Sequence, residues 1–302
     1  NSSSVKEFIL LSLSQNQGVQ KIYFVVFLLL YTLTVAGNLL IVLTVMSSRH
    51  LSSPMYIFLC HLSFVDVCYS SVTAPQMMSG FLVENNAISF AGCMGQLFGL
   101  HFFGCTEIFI LTAMAYDRYV AICRPLRYPA LMSPCLCGCM VGGSWAGGFL
   151  HSTLQTLPTA LLPFCGPNKV AHYFCDVHPL LHLACADTRA AGLAAVANSG
   201  VISLSCFLIV VTSYVVILLS LRGQKPAGWR KALSTCGSHI TVVILFFGPC
   251  TVVYIRPSGD LSEDRSVAMF YTLIPPMLNP LIYTLQNREV RGAMRKLCRR
   301  KV

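Results

Sequence analysis

Charge is scarce in this sequence. Asp, Glu, Lys and Arg make up 11% of 302 residues, against 55% hydrophobic residues and a mean hydropathy of +0.67. A soluble domain carries roughly 25% charged residues, so a water-covered globule is excluded for want of polar surface. Length alone would suggest about two domains, but that rule assumes water as the solvent. Ten-residue segments of alternating polarity are missing, which excludes a membrane β-barrel. There is no internal repeat and no matched pair of interrupted helices, which argues against a secondary transporter. No soluble domain offers a basic face, so nucleic acid is not an expected partner. No cleavable signal peptide is expected, because the chain opens on a polar segment.

What is present is a set of long apolar runs. About 18 residues suffice to cross a ~30 Å hydrocarbon core. Such runs lie at Ile22–Met46, Pro54–Met78, Gly92–Val120, Leu136–Leu162, Ala191–Leu221, Lys231–Ile255 and Val267–Leu285. The expected fold is an all-α membrane protein, a seven-transmembrane-helix bundle forming one domain. An outer N-terminal segment (1–21) precedes the bundle (22–286), and a cytoplasmic surface helix and tail (287–302) follow it. Prolines inside the runs (Pro75, Pro158, Pro249, Pro275, Pro276 and Pro280) predict kinks.

Orientation follows from the basic residues. Six of the 21 lie on the side of the N-terminus (Lys6, Lys21, Lys169, Arg189, Arg256, Arg265) and the remaining fifteen on the other. The positive-inside rule therefore places the N-terminus outside and the tail in the cytoplasm. The net charge of +10 is thus a topology signal together with attraction to anionic inner-leaflet lipid. Asn1-Ser2-Ser3, the one N-glycosylation sequon, falls on the outer side. In the tail, Val290, Met294 and Leu297 recur at helical spacing among seven basic residues, the pattern of a helix lying on the membrane. Cys298 there is a candidate for palmitoylation.

The polar residues inside the runs are the candidate functional ones, since ionisable groups in a bilayer are costly. Asp117-Arg118-Tyr119 closes the third run, and Asp66 and Glu107 are the acids at mid-membrane depth. Glu107 lies fourteen residues past Cys93, about 21 Å along a helix. Two buried carboxylates invite a shared cation or a shared proton. Of fifteen cysteines, four lie outside (Cys93, Cys165, Cys175, Cys185) and allow three pairings. The CLCGC string at Cys135–Cys139 has no second half and reads as packing, not zinc.

Four strings in order carry a resemblance: LSSPMY (Leu51–Tyr56), MAYDRYVAIC (Met114–Cys123), KALSTCGSHI (Lys231–Ile240) and PMLNPLIYTLQN (Pro276–Asn287), with EFILLSLS near the start. Over its whole length the chain resembles the tetrapod-type odorant receptors of vertebrates, within the rhodopsin-like G-protein-coupled receptors. Ser52-Ser53 replace the usual His-Thr, and Phe247 the usual Tyr. The resemblance implies a plasma-membrane receptor, not an enzyme. It would bind a small volatile odorant and activate a heterotrimeric stimulatory (olfactory-type) G protein to raise cAMP.

The resemblance also implies residue roles. Arg118 pairs with Asp117 at rest, and on activation faces Tyr214, His239 and the G protein; Tyr119 and Tyr283 belong to the same switch. Asp66, Glu107 and Asn279 would hold a sodium ion, the one cofactor considered. The implied disulfides are Cys93–Cys175 and Cys165–Cys185, and a bridged Cys175 removes the thiolate that a metal at HYFCD (His172–Asp176) would need. The implied pocket takes Leu100, His101, Gly104 and Cys105 from the third helix, and His151 and Gln155 from the fourth. It takes Asn198, Ser199 and Ile202 from the fifth, Phe247, Cys250, Thr251 and Tyr254 from the sixth, and Met269 and Thr272 from the seventh. That set is apolar with a few hydrogen-bonding groups, suited to a volatile with one polar group.

An amine receptor would carry an acid seven residues after Cys93, where this chain has Leu100. No carboxylate is expected on the outer half of the bundle. The alternatives are a rhodopsin-like receptor for a peptide or lipid, and a channel or transporter using Asp66 and Glu107 as an ion path.

Overall fold

The computed structural model describes residues 5–11, 16–48, 50–83, 86–222, 236–237, 239–248, 272, 274–282 and 288–299. Asn1, Cys250, Thr251, Tyr254, Met269 and Tyr283 lie outside the described residues, as does the Cys298 side chain. The long helices are α1 (Gln17–Ser47), α2 (Pro54–Ser79), α3 (Phe90–Cys123), α5 (Pro134–Ala160) and α7 (Arg189–Leu221). Short helices α4 (Tyr128–Leu131) and α6 (Val177–Leu181) sit in loops. The sixth and seventh apolar runs are helical where described, as α8 (His239–Gly248) and α9 (274–282). The tail forms α10 (Arg288–Arg299).

Local chemistry sets the helix starts. Asn16 accepts from the Gly18 and Val19 amides and so begins α1 five residues before its apolar run. Ser89 caps α3 through Gly92 N, and Ser133 caps α5 through Leu136 N, with Pro134 at the first helical position.

Burial runs opposite to that of a soluble protein. The most apolar 18 residues of α1 and α7 are only 17% and 22% buried, against 61% for α3. Leu33, Leu193, Val201 and Leu204 each present at least 60% of their surface. Such outward faces are stable only against lipid tails. Helix α3 is central and packs on α2, α5 and α7.

Small residues let α5 approach it. A Cβ on Gly148 would overlap Thr106 Oγ1 and lie 2.8 Å from the Phe102 carbonyl oxygen. One turn either side, Ser144 and Ser152 are buried, and the Ser152 hydroxyl donates to the Phe98 carbonyl at 2.6 Å. This spacing of small residues is how membrane helices pack without a hydrophobic drive between them.

The outer end carries a small sheet that hydropathy does not reveal. Strand β1 (Glu7–Leu10) pairs antiparallel with β2 (Asn86–Ser89) and parallel with β3 (Lys169–Val170). Phe8 is 1% exposed and meets Phe164 edge-on at 5.3 Å. Residues 7–10 of the outer segment 1–21 are therefore docked onto the loops. Disulfides Cys93–Cys175 and Cys165–Cys185 join Cα atoms 5.5 Å and 6.1 Å apart, within ordinary disulfide reach. They are the pairs that the resemblance implies.

Candidate functional site

Three polar layers are threaded on α3. In the outer layer, Leu100, His101, Gly104 and Cys105 line a cavity of about 90 Å³ together with His151, Gln155, Ser199 and Ile202. Positions 100, 101, 104 and 105 share one face because helical neighbours recur at three and four residues. Gly104 keeps that face open, since a Cβ there would sit 3.3 Å from the Tyr69 ring.

Other expected pocket residues stand elsewhere. Asn198 is not in the lining. Phe247 packs on Phe207 at 5.7 Å, while its neighbour Phe246 lines the cavity. One residue is about 100° around a helix, so the two phenylalanines cannot share a face. Thr272 is buried and lies outside the lining.

Asp176 corrects the expectation that no carboxylate reaches the outer half. It lines the cavity from the loop, with Oδ1 3.7 Å from His101 Nε2. Its position follows from its neighbour: Cys175 is bridged to Cys93 at the top of α3, and its amide donates to Gln96 Oε1 at 2.8 Å. Burial opposes ionisation of Asp176. The His101 contact, the charge of His172 and the Val177 amide outweigh it and hold the carboxyl down at about 2, so Asp176 is an anion at neutral pH. The sequence signal was available, because a residue next to a bridged cysteine must lie over the bundle mouth.

In the middle layer Asn279 Nδ2 donates to Asp66 Oδ2 at 2.8 Å, and Glu107 lies beside both. Asp66 Oδ1, Asn279 Oδ1, both Glu107 oxygens and Ser63 Oγ are buried without a hydrogen-bond partner. Unsatisfied oxygens of this kind fit a small hard cation. Among the described residues no three His, Cys, Asp or Glu side chains cluster as a metal site.

At the inner end Arg118 Nη2 donates to Asp117 Oδ2 at 3.1 Å. The Tyr128 hydroxyl of α4 donates to Asp117 Oδ1 at 2.7 Å. Tyr214 and His239 are hydrogen-bonded to each other. Arg118 thus keeps its acidic partner, and Tyr128 is a member of this cluster that the motif did not include. Tyr119 is half-buried and packs against Tyr116.

A family model described as olfactory receptor matches residues 27–301. The chain belongs to the olfactory receptor family. It is 59% identical over 300 residues to human olfactory receptor 4S2, covering 99% of this chain and 96% of that one. Human olfactory receptor 4X2 is 58% identical over 96% of both chains, and mouse olfactory receptor 4E2 is 53% identical over 100% and 98%. Among solved structures, squid rhodopsin matches with a TM-score of 0.75 at 19% identity, covering 93% of this chain and 81% of that one. That likeness gives the fold, the seven-helix bundle. This olfactory receptor is accordingly a multi-pass membrane protein of the G-protein-coupled class and not an enzyme.

Proposed function

We propose that this receptor binds a small volatile odorant in the outer cavity and activates a stimulatory, olfactory-type G protein that raises cAMP. The observation that carries this reading is that the cavity face and the Asp117–Arg118 pair lie on one helix. His101 and Asp117 are sixteen residues apart on α3, about 24 Å along it. An odorant that contacts one packing of α3 against its neighbours better than another biases the equilibrium between them. Release of Arg118 from Asp117 toward Tyr214 and His239 is the inner half of that exchange.

Residues Asp66, Glu107 and Asn279 hold a sodium ion in this reading, which would neutralise charge between the two ends. The receptor sits in the plasma membrane with its N-terminus outside and Asn1 available for glycosylation. Helix α10 rests on inner-leaflet lipid, with Arg291, Arg295 and Lys296 exposed. Small odorants supply only moderate affinity at ordinary ligand efficiency, so micromolar sensitivity is expected.

The test is a cAMP assay with an odorant panel in cells expressing the receptor. A ligand-evoked rise that Arg118→Ala abolishes at equal surface expression, with no accompanying current, is the expected result. Ion flux evoked in cells lacking a stimulatory G protein would instead favour a channel.

A further inference from the structure

Among the described residues, several polar groups at one end of the cavity are buried without a hydrogen-bond partner. Gln155 is 3% exposed; its Nε2 donates to Ser199 Oγ and to the Ala195 carbonyl, which leaves Oε1 buried without a partner. His151 is 6% exposed, and its Nδ1 is likewise unpartnered. The Asp176 carboxylate is a further acceptor. His101 Nε2 faces Asp176 Oδ1 from 3.7 Å and has no hydrogen-bond partner. The nitrogen opposite a carboxylate is the protonated one, so His101 offers a donor.

We propose that the cavity is selective for alcohols, whose hydroxyl bridges His101 and Asp176 by accepting from the one and donating to the other. This rests on the odorant-receptor reading above and names the ligand class for the same site. An oxygen placed ~2.9 Å from Nε2 and ~2.7 Å from Oδ1 closes a triangle on the 3.7 Å gap with ordinary hydrogen-bond lengths.

Other headgroups leave one member of the His101–Asp176 pair unserved. An aldehyde, ketone or ester only accepts, so the Asp176 carboxylate receives nothing. A carboxylate adds an anion beside an anion. An ammonium only donates, which strands the His101 N–H. Buried groups left unpaired are costly, so each mismatch is expected to weaken response about tenfold or more. Leu100, Ile108, Ile202 and Phe246 supply an apolar part of the wall that takes the alkyl chain.

The experiment compares 1-hexanol, hexanal, hexanoate and hexylamine on cells expressing the full chain, read as half-maximal concentration for cAMP. Six-carbon chains suit a small cavity, and the set differs only in the headgroup. Hexanol is expected to be at least about tenfold more potent than the others. His101→Phe and Asp176→Asn, compared at equal surface expression, should each remove that advantage. Asp176→Asn keeps a side-chain oxygen to cap Val177 N, so a folding defect is not expected.

Equal or greater potency of hexanal, hexanoate or hexylamine overturns the proposal. So does a hexanol preference that survives both substitutions. If no member of the set evokes a response, the alcohol assignment fails. A broad odorant panel then separates the two levels: any other agonist preserves the receptor reading, and silence to all odorants at normal surface expression removes that as well.

Discussion

Tyr128 holds Asp117 from outside the helix that carries the acid. Its hydroxyl donates at 2.7 Å to Oδ1 while Arg118 takes Oδ2, so the buried carboxylate is satisfied on both oxygens. A charged acceptor that loses one buried donor is destabilised by about 1–3 kcal/mol. Tyr128→Phe is therefore expected to weaken the paired state and raise ligand-independent cAMP severalfold. Unchanged basal signalling at matched expression would show that Tyr128 plays no part in restraining the pair.

The acidic layer gives a second expectation. If Asp66, Glu107 and Asn279 share a sodium ion, basal activity depends on sodium concentration, and Asp66→Asn removes that dependence. The measurement is basal G-protein nucleotide exchange in membranes across a sodium series, with another monovalent cation keeping ionic strength constant. A flat response in the unmodified receptor counts against the ion.

Packing of α5 on α3 should tolerate no side chain at Gly148. Gly148→Val pushes a branched group into Thr106 and the Phe102 carbonyl, and overpacking of this kind costs about 1–3 kcal/mol. Lower surface expression and a lower melting temperature in detergent are expected. Gly142→Ala is the control, because nothing lies within 4 Å of its added carbon. Equal behaviour of the two variants would refute the close contact.

The two disulfides are expected to differ in consequence. Cys93–Cys175 fixes the loop immediately before Asp176, whereas Cys165–Cys185 closes a twenty-residue separation within the loop itself. Cys175→Ser should abolish ligand response by displacing Asp176. Cys165→Ser should shift potency less, at comparable surface levels. A reversed order would mean that the loop is positioned by something other than the bridge to α3.

Much of the site was legible because its residues lie on α3 at helical spacing. Leu100, His101, Gly104 and Cys105 share a face by periodicity alone, and Asp117-Arg118 marks the inner end. What escaped were residues whose position depends on where a loop travels. Asp176 and Tyr128 are both loop residues, and each completes a cluster built on α3. Choosing Phe247 rather than Phe246 is a different kind of miss. Adjacent helical positions differ by about 100°, and apolar composition on both sides of α8 gives no phase.

By itself the sequence determined that the chain crosses a membrane, how many apolar runs it has, which end carries the positive charge, and its family. Those properties are written in hydropathy, charge placement and local strings, each read within some twenty residues. Only the tertiary structure decided which polar groups meet: Asp176 with His101, Tyr128 with Asp117, Asn279 with Asp66, and β1 with two separate loops. The physical reason is that these contacts join segments far apart in the chain, and burial leaves each polar group dependent on the partner that packing brings to it.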